Sequence, residues 1–189
     1  MTNRYTGPAI ILHWLIAIGI FINLKSGLSI EDLPEGEIRS VIDLHKSIGI
    51  SVLGLVLLRL LWRMGHRPPA LPAQTKVWER KLSTATHHTL YLLMALVPLL
   101  GWLHDSAWKG AATHPLVLFN SVPWFRFPLF DTMGEAAKDQ IHEILGNAHG
   151  AFSWLMMLAL LLHVAGALKH QFLDKEKSLQ RMWFGGKTD

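Results

Sequence analysis

The stretch HGAFSWLMMLALLLH, residues 149–163, is an apolar run closed at each end by a histidine. A run this apolar belongs in a core or a bilayer, and an ionisable side chain held inside a membrane marks a functional site by default. A helix turns about 100° and rises about 1.5 Å per residue, so a fourteen-residue spacing is nearly four turns and about 21 Å. His149 and His163 therefore share one helix face, one near each surface of a membrane.

The rest of the chain agrees with a membrane reading. Half of its 189 residues are hydrophobic and only 17% are charged, which is membrane composition. There are no cysteines, which excludes disulfides, zinc–thiolate sites, iron–sulfur clusters and the thioether attachment of c-type haem. Eleven histidines and eight tryptophans are many for this length. The formal charge of +4 could suggest nucleic acid. The basic residues, however, cluster beside apolar segments, so membrane topology accounts for them and no nucleic-acid partner is expected.

Four segments are long enough to cross a bilayer, about 20 residues each: roughly 8–28, 41–62, 82–103 and 145–168, with a long connection at about 104–140. The expected fold is all-α, a four-transmembrane-helix bundle, with residues 1–189 forming one integral membrane domain. Arg63, Arg67, Lys76, Arg80 and Lys81 flank the second connection, and Lys169, Lys175, Lys177, Arg181 and Lys187 lie in the C-terminal tail. The first connection holds EDLPEGE, and the third has more acids than bases. The positive-inside rule puts both termini in the cytoplasm and the first and third connections outside. The first span reads as a retained helix rather than a cleaved leader. The WFRFPLF stretch at 124–130 reads as an interfacial patch or as a lid over an outward-facing site.

Counting from these basic landmarks sorts the histidines by depth. His45 lies eighteen residues from Arg63 and His149 twenty from Lys169, so both belong to the outer leaflet. His13, nine from Arg4, and His163, six from Lys169, belong to the inner one. Two imidazoles at equal depth on facing helices suit one b-type haem, each giving the iron a nitrogen. Two stacked pairs give two haems with irons about 20 Å apart. Gly49, Ala9, Ala17, Ala159 and Ala167, each four residues from one of these histidines, let a flat macrocycle approach, or simply aid helix packing. His87, six residues from Lys81, reaches the same depth as His13 and is an equal geometric candidate for the inner ligand. Arg59, fourteen after His45, either pairs with a haem propionate or snorkels to the interface. His170, seven after His163, and its neighbour Lys169 are placed to contact a quinone headgroup. His104 and His114 read as loop residues and His142 as a surface residue.

The HW at 13–14, HKSIGI from His45, RLLWR from Arg59, His87 with Tyr91 four later, and His149/His163 followed by LKHQFLDKEKSLQRM resemble the bacterial cytochrome b561 family over nearly the whole chain. Similar four-helix cytochromes are membrane subunits of formate dehydrogenases and hydrogenases. The resemblance implies two haem b groups in the bacterial inner membrane, with pairs His13/His163 and His45/His149, and it makes His87 a neighbour rather than a ligand. It further implies an oxidoreductase that takes electrons from superoxide at the outer face and reduces ubiquinone. Ile11, two before His13, departs from the polar residue expected there and bears on quinone binding. The competing expectations are a non-enzymatic conduit between the quinone pool and a partner redox protein, and a histidine-based metal transporter. No catalytic residue is assigned.

Overall fold

In the computed structural model, which describes residues 4–70 and 75–183, four long helices follow one another: α1 (Gly7–Ser29), α2 (Glu35–Gly65), α3 (Val77–Ser106) and α4 (Glu135–Leu168). All four are long and apolar enough to cross a membrane. Pro8 sits in the first turn of α1, where its missing N–H costs nothing. Helices α2, α3 and α4 overrun their apolar segments. Residues 35–40, 77–81 and 135–144 are polar but contain good helix formers, so helix continues where hydropathy stops.

Packing is sequential: α1 on α2, α2 on α3, α3 on α4. Ile16, Ile20, Val52 and Val56 form one buried cluster, and Leu90, Leu93, Val97, Met156 and Ala159 form a second. Met94 and Leu160 touch both clusters. Together they make an apolar layer at mid-height. Elsewhere large apolar side chains such as Leu15, Phe21, Leu61, Leu92 and Leu161 face outward, as lipid-facing helices require.

The end carrying the first and third connections is the loop end, and the other the terminal end. At the loop end the third connection is ordered and pinned. A short hairpin pairs β1 (Val117–Leu118) with β2 (Val122–Pro123), and its turn holds Phe119 and Asn120 at φ 51° and 53°, the left-handed conformation tight hairpins need. The Phe119 N–H donates to Ser47 Oγ on α2 at 2.9 Å, and the Phe127 N–H donates to Ser106 Oγ on α3 at 3.1 Å. The aromatic stretch at 124–130 is split. Phe125 is exposed and Phe130 is buried, while Arg126 turns inward to Asp105 at 2.8 Å.

At the terminal end α4 runs into a π-helical turn, Lys169–Leu173, and a short helix α5, Ser178–Arg181. The tail folds back under the bundle. Trp14 Nε1 donates to Met182 O at 2.8 Å, and Arg181 donates to Ala70 O at 2.7 Å.

Candidate functional site

The loop-end site is built from His45 on α2 and His149 on α4. Their ring centroids are 6.1 Å apart and their planes 78° apart. Ser26 Oγ lies 2.9 Å from His45 Nδ1 and spends its own proton on Asn23 O at 3.0 Å. With its proton on that carbonyl the hydroxyl accepts from His45, the arrangement in which His45 carries its proton on Nδ1. His149 Nδ1 faces the Val97 carbonyl at 2.9 Å, which only accepts. Both Nε2 lone pairs are thus left free, the tautomer a metal-ligating histidine needs. Glycine makes room for the rings: a Cβ at Gly101 would lie 3.0 Å from His149 Cε1, and one at Gly27 would lie 3.3 Å from His45 Cε1. A cavity of ≈680 Å³, lined from all four helices, surrounds the pair, a volume suited to a large cofactor.

The terminal-end site holds three imidazoles. His13 and His163 have ring centroids 6.1 Å apart, while His87 lies 5.2 Å from His163. Two metal–nitrogen bonds of about 2 Å, with about 1 Å more from each nitrogen to its ring centre, would allow two imidazoles sharing a metal to lie roughly 6 Å apart. Both His45/His149 and His13/His163 meet that spacing, and His87/His163 falls short of it. His87 Nδ1 is bonded instead to Ser83 O at 2.7 Å. Arg59 is engaged by Tyr91. Its Nε donates to Tyr91 OH at 3.0 Å, and both Arg59 and Arg63 lie over the Tyr91 ring, at 5.8 and 5.4 Å.

Lys169 and His170 are already engaged. Lys169 Nζ bonds Glu79 at 2.9 Å and Asp174 at 2.7 Å. His170 Nδ1 lies 2.9 Å from Asp174 and 3.2 Å from Glu176. Glu79, His170 and Asp174 bring donor atoms within 4.8 Å of one another, and the Lys169 ammonium supplies the cation there. The hydrogen bond from Lys169 holds the Asp174 carboxyl below the usual carboxylate range.

Sequence reasoning missed one constellation. His104 lies in the last turn of α3 rather than in a loop, and His142 lies in the polar extension of α4. Their rings stack at 3.7 Å with 15° between planes. Each Nδ1 bonds the other residue's backbone carbonyl, at 2.8 and 2.9 Å, and both line the loop-end cavity. A Cβ at Gly146 would lie 2.8 Å from the His104 ring, so the stack depends on that glycine. The available signal was that His142 precedes His149 by seven residues, two turns on one face. Lys46 and Lys109, basic groups at the loop end, are paired. Lys46 bonds Asp105 at 2.5 Å, and Lys109 lies 3.5 Å from Asp139.

Residues 4–185 match the family model described as prokaryotic cytochrome b561. The chain is 32% identical to cytochrome b561 homolog 2 of Escherichia coli K12, over 95% of this chain and 91% of that protein. It is 28% identical to cytochrome b562 of Cereibacter sphaeroides, over 94% of each. It is 22% identical to the probable superoxide oxidase CybB of Yersinia pestis, over 96% of this chain and 97% of that protein.

Proposed function

The chain belongs to the prokaryotic cytochrome b561 family, bacterial membrane proteins that transfer electrons through b-type haem, and on that premise we propose that it holds two haems and carries electrons from an outer donor to a quinone. His45 and His149 would hold the outer haem, and His13 and His163 the inner one. The observation that carries this reading is that the two pairs share one ring separation, 6.1 Å, at opposite ends of the bundle. When bound, each haem supplies one-electron chemistry at iron.

The protein's own groups do the rest. Ser26 and the Val97 carbonyl fix the outer imidazoles, which keeps them from rotating off the metal. The apolar layer between the two levels excludes water from the path. Arg59, with Arg63 on the same tyrosine face, is positioned to pair with an inner propionate. Basic residues around the terminal end favour a cytoplasmic placement in the inner membrane. Quinone reduction there consumes protons, and Lys169, His170 and Asp174 are ionisable groups at that end.

Superoxide is the donor this reading favours, on the likeness to CybB. The mouth of the outer cavity is charge-balanced rather than cationic, so attraction of the anion is modest. The second reading is a conduit docking a redox protein. It is supported by the third connection, which forms an ordered platform pinned at the cavity mouth. The test is haem content and the reduced-minus-oxidised spectrum of pure protein and of His149→Ala, followed by superoxide-driven reduction of a soluble quinone. Two b haems, one of them lost in the variant, support the pairing. Colourless protein overturns it, and haem-loaded protein inert to superoxide leaves the conduit.

A further inference from the structure

We infer that His104 and His142 are the proton-accepting pair of the outer haem site: they take up one proton when an electron enters between His45 and His149 and release it when the electron leaves. The inference rests on the outer haem reading above.

A carbonyl oxygen has no proton to give, so the reciprocal bonds to His142 O and His104 O require an N–H at both Nδ1 atoms. In the neutral pair both Nε2 atoms are then lone-pair acceptors. The stack is held by the backbone of α3 and α4, so taking a proton on Nε2 leaves both of these bonds in place. The pair is also close to the electron. His104 lies one turn beyond Gly101, where a Cβ would touch the His149 ring, and His142 lies two turns from His149 on the same face. All of these residues line one cavity.

An electron adds one negative charge to a poorly hydrated site, where compensation by a nearby proton is strongly favoured. The cationic groups facing the cavity are committed. Lys46 is bonded to Asp105, which also holds Arg126. Arg39 is bonded to Asp43 and lies over Trp108. His45 and His149 have their Nδ1 atoms bonded, and their Nε2 atoms would be taken by the metal. Glu31 adds negative charge at the mouth, which favours a cation on the pair. The step balances: one electron from the donor and one proton from the outer aqueous phase enter together, and a neutral imidazole becomes an imidazolium.

The test is optical redox titration of the haem-loaded protein from pH 5.5 to 8.5, for wild type, His104→Asn, His142→Asn and the double variant. The asparagine amide nitrogen takes the place of Nδ1 as donor to the carbonyl and is not basic. One proton per electron moves the outer potential by about 59 mV for each tenfold change in proton concentration, and the double variant should flatten that slope. Redox-difference infrared spectra of the wild type should show an imidazolium signal on reduction, a readout that needs no variant to fold. A pH-independent outer potential, an unchanged slope in the double variant, or no imidazolium signal overturns the inference. Protein without an outer haem overturns the haem reading instead.

Discussion

His149 donates its Nδ1 hydrogen to the carbonyl of Val97 across the α3–α4 interface, 2.9 Å away. Pro98 follows immediately and brings no N–H of its own into α3. The ring's other nitrogen is thereby aimed at the cavity by a backbone atom, which no side-chain substitution can delete directly. Its counterpart on His45 is a side chain, Ser26. Ser26→Ala should therefore weaken outer haem binding about 10- to 100-fold while the inner haem stays, measured as haem retained per chain through dilution.

Gly101→Ala tests the same ring from the other side. The added methyl would lie 3.0 Å from His149 Cε1, so the imidazole must give way. The expected result is about one haem per chain instead of two, with α-helical circular dichroism unchanged. Two haems with an unshifted spectrum would show that the ring has slack.

The terminal-end ligands are separable by substitution. His13→Ala should lose the inner haem, whereas His87→Ala should keep both, since the His13/His163 separation of 6.1 Å matches that of His45/His149 and the His87/His163 separation of 5.2 Å does not. Electron paramagnetic resonance of the ferric protein reads out each site. Loss of the inner signal in His87→Ala and not in His13→Ala would reverse the assignment.

Asp105 is buried and joins Lys46 on α2 to Arg126 of the third connection. Asp105→Ala removes the buried carboxylate that Lys46 and Arg126 share and should cost about 3 kcal/mol. Limited proteolysis should then cut between residues 107 and 134 faster than in wild type, and thermal unfolding should begin at lower temperature.

The tail contact should respond to acid. Lys169 holds Asp174 below its ordinary value of about 3.9, so the carboxylate favours the docked tail at neutral pH. That contribution is lost as pH falls through the depressed value. The protection of the Leu179 amide, whose N–H is bonded to Gln171, relative to its intrinsic exchange rate at each pH, should fall at the acid end in wild type. In Asp174→Asn that protection should be low at every pH.

The four spans and the depth of His13, His45, His149 and His163 were readable because hydropathy and helical rise are both linear in sequence. Helical rise alone could not separate His13 from His87, because both rings reach the level of His163. The His104–His142 stack was hidden for a different reason. It exists only because residues 135–144 continue α4 beyond the apolar run, and a polar helix that never enters the bilayer leaves no hydropathy signal. Arg126 was likewise read as part of an interfacial patch, because its partner Asp105 lies twenty-one residues away.

The apolar layer formed by Ile16, Ile20, Val52, Val56 and their neighbours on α3 and α4 has an electrical consequence. With two haems placed as proposed and the terminal end in the cytoplasm, an electron crossing it would move a full charge through a dielectric gap, toward the side that a respiring cell keeps negative. Each 100 mV across the complete membrane would oppose that movement by about 2.3 kcal/mol. A voltage imposed on vesicles should then shift how electrons distribute between the two levels, and the bundle would act as a voltmeter as well as a wire.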